Sequence, residues 1–148
     1  MTENAPSLTA VSLTVSDMSA SLAFYRGLGL EVPEASVWPS TDAGHHVAVT
    51  LANGFVLELD IVAMTKSFDP GWTQPSGPSA AVFVYSLPTR AAVDDLYAAM
   101  TSAGYAGHLQ PFDAFWGARY AIIDDPDGNH IGIMSPMEEQ YQSAAPAL

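Results

Sequence analysis

Residues 46–60 read HVAVTLANGFVLELD, and residues 119–134 read RYAIIDDPDGNHIGIM. Each stretch is two alternating apolar runs joined by a glycine-bearing turn, the pattern of a β-hairpin with one face on a core. In the first, Val47, Val49 and Leu51 lead through Ala52-Asn53-Gly54 into Phe55, Leu57 and Leu59, while Val56, Glu58 and Asp60 take the other face. In the second, Asp125-Pro126 favours turn initiation and Asp127-Gly128 tolerates positive φ, so these acids are turn formers rather than catalytic candidates. Laying Gly54 on Gly128 puts Glu58 over Gly132 and Leu59 over Ile133. The hairpins are two copies of one pattern.

The same order recurs upstream of each hairpin. Residues 8–15 alternate, with Val11, Leu13 and Val15 on one side, and predict a strand. Ser16 and Asp17 offer a helix cap, Leu22, Phe24 and Tyr25 supply apolar contacts, and Gly27 with Gly29 ends a short helix. Residues 30–38 read as a second strand. In the second copy, 79–85 predicts a strand, and 89–103 a helix with Val93, Leu96, Tyr97 and Met100 at helical spacing and Gly104 as its stop. Residues 104–110 complete that set. Between the copies, Pro70, Gly71, Pro75, Gly77 and Pro78 suit a linker. The expected chain is α+β, with two tandem β-α-β-β-β modules at 8–61 and 79–136. An extension at 1–7, a linker at 62–78 and a tail at 137–148 complete it.

Composition limits the partners. A length of 148 residues suits one domain or two small halves, and lets a chain bury roughly 68 to 70% of its unfolded surface. Four basic against sixteen acidic residues give a net charge of -12, and protonating all four histidines leaves -12 + 4 = -8. Nucleic acid and anionic membrane are thereby disfavoured. Hydrophobic content of 49% with 14% charged residues is too apolar for a disordered acidic chain. The absence of cysteine excludes thiol catalysis, disulfides and thiolate metal sites. Residues 1–7 lack a basic start followed by an apolar run, and no stretch approaches 18 uninterrupted apolar residues. The expectation is a soluble, cytoplasmic protein.

Two segments carry a family resemblance. Leu13-Thr14-Val15-Ser16-Asp17-Met18, followed by Ser21-Leu22-Ala23-Phe24-Tyr25, is similar to the first strand and helix of the vicinal oxygen chelate superfamily. Trp116-Gly117-Ala118-Arg119-Tyr120 and Asp125-Pro126-Asp127-Gly128-Asn129 resemble its last hairpin. That superfamily includes glyoxalase I, extradiol dioxygenases, fosfomycin-resistance enzymes and bleomycin-binding proteins, and the resemblance spans about residues 8–136. It implies curved, cup-like mixed sheets with helices outside, and a homodimer whose modules pair within or between chains. It also implies metal positions, which fall on Ala10, Glu58, Ser79 and Gly132. Of these only Glu58 is a usual ligand type, so no metal or other cofactor is expected there.

The candidate site comes from strand parity. Ser12, Thr14, His46, Glu58 and His130 fall opposite the apolar faces, and Phe83 and Tyr85 are assigned to the same side. Trp38, Trp72 and Trp116 lie in or beside loops that commonly frame a mouth, and Phe112 and Phe115 precede the last hairpin. Glu58 either meets a cationic ligand group or acts as a base; otherwise backbone donors or Arg119 satisfy it. A non-standard metal site on His46, Glu58 and His130 stays open, whereas His45 and His108 carry little signal. No nucleophile-base order and no phosphate-binding glycine loop appears.

Two functions follow from these residues. One is a metal-free binding protein, similar to the bleomycin-binding branch, that sequesters a small, cationic aromatic, antibiotic-like ligand. The other is a lyase, isomerase or dioxygenase with a rebuilt metal site or acid-base chemistry around Glu58. Binding is favoured because the ligand set is incomplete and the aromatics are many.

Overall fold

A computed structural model describes residues 5–39 and 44–148; residues 1–4 of the expected N-terminal extension and residues 40–43 lie outside that description. The chain divides into two compact units, Met1–Pro75 and Ser76–Leu148, and the division falls inside the expected linker.

The first unit holds β1 (Ala10–Val15), α1 (Met18–Leu28), β2 (Val37–Trp38), β3 (His46–Thr50), β4 (Val56–Ile61) and α2 (Val62–Phe68). Its sheet has the order β1-β4-β3-β2, with β1 parallel to β4 and the other pairs antiparallel. Register places Leu13 and Val15 beside Leu57, Leu59, Val47 and Val49 on one buried face. α1 starts where the Asp17 carboxylate accepts from the Ala20 amide at 3.0 Å. It ends at Gly29, whose φ of 107° lets its N–H reach the Arg26 carbonyl, so Gly27 belongs to the helix interior. Met18, Leu22, Phe24, Tyr25 and Leu28 of α1 join the core.

Two elements differ from the expectation. The second strand shrinks to Val37–Trp38, because Pro33 opens a single 3-10 turn over Glu34–Ser36. The segment after β4, expected as linker, begins with α2, since its prolines and glycines start only at Pro70. α2 contacts β4 and β1, and the Thr65 hydroxyl lies 2.8 Å from that of Thr14.

The second unit repeats the order with β5 (Val82–Ser86), α3 (Arg90–Ser102), β6 (Gly107–Asp113), β7 (Arg119–Asp124) and β8 (His130–Met134). The sheet order β5-β8-β7-β6, with β5 parallel to β8, matches the first unit strand for strand. Thr89 caps α3 by accepting from the Ala92 amide. α3 contacts β6, β7 and β8, and its Val93 and Met100 are buried with Ala121, Ile123, Ile131 and Ile133. Arg119 ties α3 to the sheet, donating to Asp94 at 2.8 and 3.0 Å and to Asp113 at 3.0 Å. The expected tail is held too: Gln142 bridges to Trp116, and the Ser143 amide donates to the Phe115 carbonyl. Gly117, at φ 96°, permits this approach, because a Cβ there would lie 2.4 Å from the Glu138 carbonyl oxygen.

Candidate functional site

Each sheet has a core face and an opposite, open face, and register decides which residues share it. In the first unit Ser12, Glu58 and Ala48 align, as do Thr14, Asp60 and His46. The open face is therefore polar. Asp60 is buried, and its carboxylate accepts from His46 Nδ1 at 2.7 Å and from Ser12 Oγ at 3.2 Å. Glu58 is half-buried and has no ion-pair partner among the described residues, while the Arg119 donors are committed to Asp94 and Asp113. Thr14 is paired with Thr65, so α2 covers that end of the face. Asp60 is the residue that sequence reasoning passed over. It and His46 stand at equal distances from the hairpin turn, which was the available signal.

The second unit's open face is aromatic and aliphatic. Phe112 pairs with Tyr120 across β6 and β7, with ring centroids 6.0 Å apart. Trp116 packs against both, 5.8 Å from Tyr120 and 6.3 Å from Phe112, and Phe115 extends the cluster at 5.2 Å from Trp116. The rings meet edge-on or tilted, the arrangement their quadrupoles prefer. Gly132 makes room: a Cβ there would sit 2.9 Å from the Tyr120 ring and hydroxyl and 3.1 Å from Val82. Burial raises the Tyr120 pKa. Phe112 and Phe115 remain 37% and 39% exposed, and Val82 and Val84 of β5 and Leu109 of β6 are exposed on the same sheet.

Several expected site residues lie elsewhere. Phe83 and Tyr85 are not on the open face: register sets them beside Ile131 and Ile133, both fully buried, on the core face. β5 reads Val82-Phe83-Val84-Tyr85, apolar on both parities, so alternation could not choose; Val82 and Val84 take the open side. Burial, and then the charge of Asp125, push the Tyr85 hydroxyl up to about 12. Ser79 precedes β5, and its hydroxyl bonds to the backbone of Ala81. Matching the caps Thr89 and Asp17 makes Val82 the counterpart of Ala10, so the four implied metal positions hold Ala10, Glu58, Val82 and Gly132. These residues do not fit a metal, since three of them offer no side-chain donor. Trp38 is exposed beside His45, and Trp72 follows α2 half-buried, both in the first unit. His130 lies on the open face, bonded through Nδ1 to Asp124 at 2.6 Å and stacked against His108.

A family model, the Glyoxalase/Bleomycin resistance protein/Dioxygenase superfamily, matches residues 7–133, and the chain belongs to that family. The fold is similar to that of solved structures. One is a glyoxalase/bleomycin resistance protein/dioxygenase family enzyme from Burkholderia phytofirmans PsJN, at 19% identity and TM-score 0.74, covering 88% of this chain and 98% of that one. A glyoxalase/bleomycin resistance protein/dioxygenase from Nocardioides is 22% identical with TM-score 0.69, over 93% and 88% of the two chains. A lactoylglutathione lyase from Agrobacterium tumefaciens is 20% identical with TM-score 0.65, over 91% and 97%. No curated protein sequence matches the chain. Identities this low speak for the fold alone, and function has to be argued from the side chains.

Proposed function

We propose that this protein is a small-molecule binding member of the family, taking a planar aromatic, antibiotic-like ligand against the open face of the second sheet. The observation that carries this reading is the Phe112, Phe115, Trp116 and Tyr120 cluster on a sheet that also exposes Val82, Val84 and Leu109. Rings fixed by one another and by the bound tail lose little freedom when a flat ligand stacks on them. A net charge of -12 raises the local concentration of a cationic ligand. Metal is excluded from the ligand's role in this reading only at the four family positions, whose side chains lack the donors. A thermal-shift comparison of proflavine, a planar cation, with 2-naphthol, a planar neutral, tests the reading. Both should raise the melting temperature, proflavine more at equal concentration; no shift with either would overturn it.

One observation favours a catalytic second reading. His46 is held through Nδ1 by buried Asp60, itself braced by Ser12, which leaves Nε2 as the ring nitrogen available for proton transfer. In that reading His46 is the base and Asp60 its positioning residue, and the chemistry is proton abstraction in an isomerase or lyase. Loss of turnover in His46→Ala with ligand binding retained would distinguish it from binding alone.

A further inference from the structure

We propose that His108, Asp124 and His130 form a binding site for a divalent first-row transition metal ion at the end of the second sheet where β7 turns into β8. The site lies outside the four family positions, and the proposal does not depend on the aromatic-ligand reading.

Asp124 and His130 are directly opposed in register, the last residue of β7 against the first of β8. The turn between them is fixed from within. The Asp125 carboxylate accepts from the Asp127 amide at 3.0 Å, the Asn129 amide at 2.8 Å and the Asn129 side chain at 2.9 Å. Two of the three ligands therefore sit on a rigid frame. The third comes from the edge strand β6, where Gly107 pairs with Ile123 but Leu109 pairs with Ile122. His108 is the extra residue of that bulge. Gly107 itself faces α3, since a Cβ there would meet Tyr97 and Thr101, so strand alternation turns His108 away from the helix, and its ring lies against that of His130. The two imidazoles lie 4.1 Å apart between centroids, tilted by 30°.

One ligand atom from each of the three residues lies within 4.8 Å of the others. Three donors at about 2.0 to 2.2 Å from one tetrahedral ion stand about 3.3 to 3.6 Å from each other, so closure asks for shifts of about an ångström. His108 is exposed and can supply them by side-chain rotation. Two imidazoles and a carboxylate suit zinc, nickel, cobalt or iron(II), whereas calcium and magnesium take all-oxygen sets. Three protein ligands leave coordination positions open, and the exposure of His108 turns them toward solvent. His130 Nδ1 already bonds Asp124. The carboxylate thus both orients the ring and stands within reach of the ion as the third ligand.

The test is calorimetric titration of untagged, chelator-stripped protein with zinc chloride, paired with the visible absorption of the cobalt(II)-loaded form. One zinc per chain is expected, and His108→Ala and His130→Ala should each weaken it by about tenfold or more and abolish the cobalt spectrum. His45→Ala should bind as the parent does. Circular dichroism of the metal-free variants checks their fold, which an exposed histidine should not disturb. The proposal is overturned if zinc binding does not saturate, or if folded His108→Ala binds zinc as tightly as the parent.

Discussion

Replacing Tyr85 with phenylalanine tests whether this ring belongs to the core face. Its hydroxyl ionises in the unfolded chain at an ordinary value of 10.0, but burial and the Asp125 charge raise it to about 12 in the fold. A pKa raised on folding favours the proton-bound form in the native state. The associated stability is therefore full below pH 10 and is lost as pH climbs through about 12. At pH 11 the unfolded phenol is about nine-tenths ionised and the folded one about one-tenth, a difference of about 1.4 kcal/mol. Urea unfolding of parent and Tyr85→Phe at pH 8, 10 and 11 reads this directly, because other titrating groups cancel between the two proteins. The parent should lose about 1.4 kcal/mol more than the variant by pH 11, and proflavine binding at pH 8 should be the same in both. Parallel pH profiles, or weakened proflavine binding in Tyr85→Phe, would refute the placement.

Further perturbations test other parts of the molecule. Gly132→Ala drives a methyl into the Tyr120 ring and Val82. It should destabilise by about 1 kcal/mol in chemical denaturation and weaken aromatic ligands by moving that ring. A homodimer is expected from the family resemblance, and light scattering at micromolar concentration should give a mass near twice 15.6 kDa; a monomer would contradict it.

The alternation of β3, β4, β7 and β8 made the core legible, because Val47, Val49, Leu57, Leu59, Ile131 and Ile133 leave one parity for the interior. Where both parities are apolar, as in β5, only pairing with β8 assigns the faces, and Phe83 and Tyr85 were placed on the wrong one. The start of β5 is not marked in the sequence, whereas the Thr89 helix cap is, and only the cap makes Val82 rather than Ser79 the counterpart of Ala10. α2 was hidden by treating residues 62–78 as one composition, although the breakers begin at Pro70. His46 with Asp60 was readable as a pair equidistant from a turn. His108 was not, because its contact with His130 depends on how β6 pairs with β7 through a bulge, which local residue preference does not mark.

Calorimetric titration of proflavine and 2-naphthol into parent, Trp116→Ala and Trp38→Ala shows whether the second unit's aromatic face holds the ligand. Trp116 packs with Phe112, Phe115 and Tyr120, whereas Trp38 is an exposed ring of the first unit. Trp116→Ala should weaken both compounds by about tenfold or more, on the scale of 1.4 kcal/mol, with Trp38→Ala matching the parent. Binding of both compounds to folded Trp116→Ala at parental affinity would contradict it.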